Sequence, residues 1–374
     1  MEQVKLYGPL SVISMRGCED FCDAVDKYLK RWRETDKSFI VNAECPRFGT
    51  GEAKGSLHES LRGHDVYIVS DPFNHGVTYK MYGKEVPMSP DDHFADIKRI
   101  IGAIGGKARR ISVIMPMLYE GRQHKRSSRE SLDCAIMLQE LHNMGVANII
   151  TFDAHDARVQ NAIPLGGFDN VQATYQMIKA LVKNENDLAI NKDNLMIVSP
   201  DEGGMQRCMY YSSVLKIDLG MFYKRRNYSV IVDGRNPIEA HEYLGRSVKD
   251  KDVIIVDDMI ASGDSVIEIG KKLKERGARR IFVFATFGLF VAGLDVFDEA
   301  YKNGWINRVY TTNLIYRMPE LATRAWYIEV NMCKYISLLV DTLNKDETIS
   351  SLLNPIDRIN NLLERREADG TIKR

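Results

Sequence analysis

Residues 253–273, VIIVDDMIASGDSVIEIGKKL, join a short hydrophobic stretch, two adjacent carboxylates, a loop of small residues and a helical pattern in one continuous run. The loop is Ala261, Ser262, Gly263, Asp264 and Ser265. Backbone N–H groups at a helix start, supplemented by the hydroxyls of Ser262 and Ser265, form a receptor for a phosphate. Asp257 and Asp258 stand at the strand end, placed to accept hydrogen bonds from sugar hydroxyls directly or through a hydrated Mg2+. Together these groups predict a sugar-phosphate receptor. A helix that is merely N-capped after a strand is the plainer alternative, but hydrophobic strand, Asp-Asp and small hydroxyl loop in that order are specific.

Other polar clusters also follow hydrophobic stretches. Residues 111–115 lead into Pro116 and then Arg122-Gln123-His124-Lys125-Arg126-Ser127-Ser128-Arg129, a basic run suited to an anion. Residues 148–152 lead into Asp153-Ala154-His155, and 195–199 into Pro200-Asp201-Glu202-Gly203-Gly204. Ligands of open α/β sheets bind beyond the carboxyl ends of strands, so four strands are expected to deliver charge to one rim. His155 and Asp201 are too few for a closed zinc site and suit a Mg2+ that keeps waters and gains phosphate oxygens. Lys224-Arg225-Arg226 opens a segment to about residue 244 without clean periodicity, which reads equally as a solvated surface segment or as a long cationic loop able to close over a phosphoryl group. The glycine clusters at 49–56 and 102–107 lack the P-loop spacing, so a Walker-type ATPase is unsupported.

The elements that must hold these groups are legible as periodicities. Short runs rich in Ile, Val and Phe at 66–69, 111–115, 148–152, 195–199, 253–256 and 281–287 suit strands buried on both faces. Helical patterns at 19–33, 131–144 and 266–276, the last two stopped by Gly145 and Gly277, suit crossovers. The fold class is therefore α/β with mostly parallel sheets. A length of 374 residues exceeds what one core usually supports and predicts two domains, divided near the Pro/Gly-rich 164–167, followed by an exposed helix that frays into a polar tail. With 44% hydrophobic and 27% charged residues the chain is an ordinary globular one. Lys plus Arg (51) equal Asp plus Glu (51), and the zero net charge argues against a dedicated nucleic-acid or membrane-surface binder. No uncharged run approaches membrane-spanning length. Six cysteines and an N-terminal stretch without a secretory pattern predict a reducing cytoplasm, with Cys18 and Cys22 as core thiols.

From about residue 48 to 353 the motifs resemble, in order, those of the ribose-phosphate pyrophosphokinases. RFGTGE (47–52) is similar to the family's nucleotide-contacting segment, and PMLYEGRQHKRSSRE to the segment whose Arg-Gln pair meets ATP. FDAHDARVQ and VSPDEGG resemble the Mg2+ segments, KRR the start of the catalytic loop, VDDMIASGDS the ribose 5-phosphate loop, and TNLIYRMPE the C-terminal region. The resemblance implies two phosphoribosyltransferase-like domains: 1–165 contacting ATP, 166–330 binding ribose 5-phosphate, and 331–374 as C-terminal helix and tail. It implies that Phe48, Thr50, Gly51, Glu52, Arg122 and Gln123 hold ATP, and that His155 and Asp201 hold Mg2+. Asp257, Asp258 and Ala261 to Ser265 (Ala261, Ser262, Gly263, Asp264, Ser265) would hold ribose 5-phosphate, with Lys224 and Arg226 acting on the transferring group. The reaction implied moves the β,γ-diphosphoryl group of ATP to the anomeric hydroxyl of ribose 5-phosphate. A homo-oligomer built from dimers is also implied.

The sequence departs from the family pattern at Thr50, at His124 where an Asp is usual, at Ala261 in place of an acid, and at Asp264 in place of a glycine beside the expected phosphate. A carboxylate facing a phosphate would repel it, so the Asp264 side chain is expected to point away while its N–H points in. A carboxylate found within contact distance of the phosphate pocket would overturn the assignment of ribose 5-phosphate there. The competing readings are a phosphoribosyltransferase, which would not need the first domain, and a non-catalytic regulatory paralogue, which would be expected to lose Lys224, Arg226, His155 or Asp201.

Overall fold

The computed structural model describes residues 6–226 and 238–373; the side chains of 224–226 and 238–241 lie outside that description. The chain forms two compact units, neither continuous in sequence. The first comprises 1–173, 313–318 and 331–354, and the second 174–312, 319–330 and 355–374.

In the first unit, β1 (Leu10–Ser14), β2 (Asp65–Val69), β3 (Arg110–Ile114), β4 (Asn148–Phe152) and β5 (Gly167–Val171) form a parallel sheet whose spatial order follows the sequence. Between them run α1 (Glu19–Trp32), α2 (Pro90–Ile104) and α3 (Asp133–Asn143). Local sequence dictates the start of α2: Ser89 and Asp92 form a reciprocal capping box, Pro90 occupies the first turn, and Gly105 ends the helix in a left-handed conformation. Ile97, Ile100, Ile101 and Ile104 of α2 join Met137, Leu138 and Leu141 of α3 in one core against the strands. A helix from late in the chain, Cys333–Asn344, packs along α1, where Arg33 grips Asp341 at 2.8 Å. Cys18 and Cys22 are buried thiols, as expected, and burial raises both pKa values.

The second unit contains α4 (Thr174–Asn184), β6 (Leu195–Ser199), α5 (Met205–Leu215), β7 (Asp218–Arg226), β8 (Ile238–Leu244), β9 (Asp252–Ile260), α6 (Asp264–Glu275), β10 (Ile281–Gly288), α7 (Asp295–Lys302), β11 (Arg308–Thr312), β12 (Tyr327–Val330) and α8 (Ile356–Ala368). Its seven strands lie in the order β8-β7-β6-β9-β10-β11-β12, parallel except for β7 with β8. The order reverses between β6 and β9, which makes that pair the topological switch point.

Three expectations are corrected. The four charged strand ends belong to two sheets, two to each, rather than to one rim. Residues 238–244 pair antiparallel with β7, so only 227–237 are left for a connection, and these lie outside the described residues. The C-terminal segment is docked: Ile359 and Leu363 of α8 are fully buried, Arg358 lies over the Tyr175 ring of α4, and Ile372–Lys373 pairs with Leu188–Ala189. Ile359 and Leu363, one helical turn apart inside a polar segment, give the helix the apolar face it buries.

Candidate active site

In the second unit, β9 is nine residues long rather than the four read from the hydrophobic run. It pairs with β6 only through Ile255 but with β10 through Ile260, so its last residues project past β6 at the switch point. Asp257 and Asp258 lie within this projection. Asp258 is buried and Asp257 half-buried. Their carboxylates turn back onto the chain: Asp258 N–H donates to Asp257 at 2.9 Å and Met259 N–H to Asp258 at 3.0 Å. Burial first, and then the neighbouring Asp258, push the Asp257 carboxyl well above the usual carboxylate range, while Arg207 of α5 pulls it down. Arg207 had no linear signal, because only the packing of α5 beside β9 brings it there.

The loop beyond β9 turns on Gly263, whose backbone is left-handed (φ 97°) and where a Cβ would sit 2.4 Å from the Phe297 ring. No other residue fits. Asp264 opens α6, with Ser262 and Ser265 beside it. The Asp264 carboxylate does not turn away from the loop. It accepts the Ser262 hydroxyl at 2.8 Å, engaging one of the two hydroxyls expected to meet the phosphate. At the end of β6, Asp201 accepts the N–H groups of Gly203 and Gly204 at 2.9 and 3.2 Å and so also orders the approach to α5. Lys224 and Arg226 lie on β7, where Lys224 pairs with His241 and a bulge falls between Arg225 and Arg226; their side chains are outside the described residues.

In the first unit, Arg47 to Glu52 form a tight turn closed by Phe48 N–H to Glu52 O at 2.7 Å and Gly51 N–H to Phe48 O at 2.9 Å. Its base is an ion pair, Arg47 bidentate to the buried Asp96 at 2.9 and 3.0 Å, which Arg99 also contacts at 2.6 Å. Gly51 takes a positive φ of 95°. Thr50 donates its hydroxyl to Glu52 at 2.8 Å, and the Phe48 ring is left 54% exposed. After β3, Arg122 and Gln123 are exposed, and His124 lies edge-on to His155, ring centres 5.3 Å apart. The basic run and the predicted metal ligand after β4 are thus brought together through His124. Asp156 stands 3.6 Å from His124 and is held down at about 2 by its hydrogen bond to Arg158. Burial lowers the His124 pKa although Asp156 opposes it. Among the described residues no cluster of three or more His, Cys, Asp or Glu could hold a metal ion, so no all-protein cage exists there.

Two parallel-sheet units, one with a switch-point acid pair and small-residue loop, define a protein of the phosphoribosyltransferase-like α/β class. Family models agree along the chain: the N-terminal domain of ribose phosphate pyrophosphokinase matches 10–145, a phosphoribosyl transferase domain 167–288, and a phosphoribosyl synthetase-associated domain 242–353. A ribose-phosphate pyrophosphokinase of Ureaplasma parvum is 31% identical over 278 residues, covering 73% of this chain and 76% of that protein. One of Vibrio cholerae is 26% identical over 328 residues, covering 86% and 95%. The chain belongs to the ribose-phosphate pyrophosphokinase family. The crystal structure of phosphoribosylpyrophosphate synthetase from Mycobacterium smegmatis shares the fold, with a TM-score of 0.70 at 20% identity over 90% of this chain and 99% of that one.

Proposed function

We propose that this chain is a ribose-phosphate diphosphokinase, moving the β,γ-diphosphoryl group of ATP to the anomeric hydroxyl of ribose 5-phosphate and releasing AMP and phosphoribosyl pyrophosphate. The observation that carries the proposal is the second unit's switch point, where Asp257-Asp258 projects beside a glycine-turned loop at the start of α6, in a chain whose first unit matches the pyrophosphokinase N-terminal domain. A phosphoribosyltransferase would need only the former.

Each unit supplies part of the chemistry. Phe48 offers an exposed ring to the base, and the turn through Thr50, Gly51 and Glu52 offers polar groups beside it. Arg122 and Gln123, both exposed, would meet the polyphosphate. Ala261 to Ser265 would receive the sugar phosphate on backbone N–H groups and hydroxyls, and the acid pair would accept the ribose hydroxyls and orient the anomeric oxygen. Lys224 and Arg226 would meet the charge that develops on the transferring group. An imidazole and a carboxylate are ligand types that suit a Mg2+ keeping its waters, and His155 of the first unit and Asp201 of the second are the residues that would hold it. When bound, Mg2+ supplies neutralisation of phosphate oxygens.

The feature least favourable to the proposal is the Asp264 carboxylate on Ser262. A cytoplasmic location and a homo-oligomer built from dimers complete the proposal. No helix among the described residues is long and apolar enough to cross a membrane. The deciding experiment is incubation with ATP, Mg2+ and ribose 5-phosphate followed by nucleotide separation. AMP formed only when the sugar is present supports the proposal; ADP, or no turnover, overturns it.

A further inference from the structure

Between β2 and α2 the first unit carries a hairpin that none of the assignments above uses. Thr78–Met81 pairs antiparallel with Lys84–Pro87 in the register Met81 to Lys84, joined by Tyr82 and Gly83. Both turn residues have positive φ, 48° and 77°, the requirement of a type I′ turn. Such turns favour Asn or Gly at the first position, and a bulky residue there is an outlier. Packing does not compensate for it, because the Tyr82 side chain is 77% exposed. A strained, solvent-facing aromatic residue points to a role outside the fold's own stability.

The tip is fastened to the turn assigned to the nucleotide. Tyr82 N–H donates to Gly49 O at 2.8 Å. Met81 lies so close to Gly51 that a Cβ there would be 2.8 Å from its Sδ. Lower down, the Arg47 guanidinium that holds Asp96 lies 5.0 Å from the centre of the Tyr79 ring. At the root, Arg16 donates to Thr78 O at 2.8 Å. Hairpin tip and nucleotide turn are therefore one braced assembly that leaves two aromatic rings exposed on adjoining backbone turns, Phe48 and Tyr82.

We propose that Tyr82 is a base-contacting residue: its ring, alongside that of Phe48, presents an aromatic surface to the purine of the bound nucleoside triphosphate. The inference rests on the assignment of Phe48 to Glu52 to the nucleotide. Stacking of a base on an aromatic side chain is worth enough that truncation weakens binding by roughly 5- to 100-fold. It needs the ring and not the hydroxyl.

The test is calorimetric titration of the full chain with Mg-ATP in the absence of ribose 5-phosphate, for Tyr82→Ala, Tyr82→Phe, Tyr82→Gly and Phe48→Ala. Tyr82→Ala is expected to lose roughly 5- to 100-fold in affinity and Tyr82→Phe less than about 3-fold. Tyr82→Gly removes the backbone strain, so it should raise the melting temperature while losing affinity as Tyr82→Ala does; a turn of purely structural value would gain stability at unchanged affinity, which overturns the inference. If Phe48→Ala weakens binding and Tyr82→Ala does not, the inference fails and the nucleotide assignment stands. If neither weakens it, the assignment of the turn fails as well. A change of oligomeric mass in Tyr82→Ala, seen by sedimentation, with ATP affinity unchanged would overturn the inference by giving the ring to a subunit contact.

Discussion

Asp264 places a resident anion in the loop proposed for the sugar phosphate, and removing its charge should strengthen ribose 5-phosphate binding. The carboxylate sits in the first turn of α6 and accepts the Ser262 hydroxyl at 2.8 Å, so it engages a donor that a phosphate would use and lies where the helix dipole favours a negative charge. At a separation of about 4–5 Å, two unit charges in water-like surroundings repel by about 1 kcal/mol. A sugar phosphate carries about −1.5 to −2 charges, giving about 1.5–2 kcal/mol, and regaining a hydroxyl donor adds about 0.5–1.5 kcal/mol. The sum corresponds to a fall in the KM for ribose 5-phosphate of roughly 30- to 300-fold, with the lower end expected for so exposed a residue. The assay is steady-state AMP release from Asp264→Gly and Asp264→Asn at saturating ATP and low ionic strength. Asp264→Asn tests charge alone, because its amide can still engage Ser262. The gain should shrink in about 1 M salt, where the Debye length falls to about 3 Å. An unchanged or higher KM in both variants would refute the reasoning, showing that the carboxylate does not oppose the substrate or contributes to holding it.

Three further outcomes are expected. Gly263→Ala combines a disfavoured backbone with a Cβ 2.4 Å from the Phe297 ring, so it should cost about 2–5 kcal/mol in chemical unfolding and weaken ribose 5-phosphate binding; a neutral effect would contradict the packing. Lys224→Ala should lower kcat by roughly 100- to 1,000-fold while changing ATP affinity far less, because its proposed contact tightens only as charge develops; equal losses in kcat and binding would remove it from that role. Burial raises the Asp71 carboxyl from its usual 3.8 to about 6, against the N–H groups of Tyr316 and Phe73 that it accepts. A raised folded-state pKa means stability that is present below about pH 4 and is lost as pH rises toward about 6, on the order of 3 kcal/mol. The gap in melting temperature between wild type and Asp71→Asn should therefore change across that window and be constant above it, and a flat gap throughout would show that Asp71 does not titrate there.

How much of this was legible in the chain depended on range. The strands at 148–152 and 195–199 emerged at their observed bounds, and α1 and α6 within a residue or two, because periodicity and glycine stops act over a single turn or strand. β9 was read too short for the same reason: hydrophobicity ends at Val256, but pairing with β10 carries the strand through both aspartates. The segment 238–244 lost its identity because a strand paired at the end of a sheet need not alternate cleanly, and its partner β7 decides its state.

The order of residues by itself determined which groups could do chemistry: the Asp-Asp pair with its hydroxyl loop, the Arg-Gln segment, His155, Asp201 and the Lys224 cluster. These motifs are contiguous, so the covalent chain fixes their spacing before any folding occurs. Tertiary structure alone decided that the charged strand ends divide between two sheets, that β6 and β9 form the switch point, that His124 abuts His155, that Arg207 reaches Asp257, and that a distant hairpin braces the turn at Phe48. Each of these joins residues far apart in sequence, and their meeting is set by burial of the strands and helices between them rather than by any local preference.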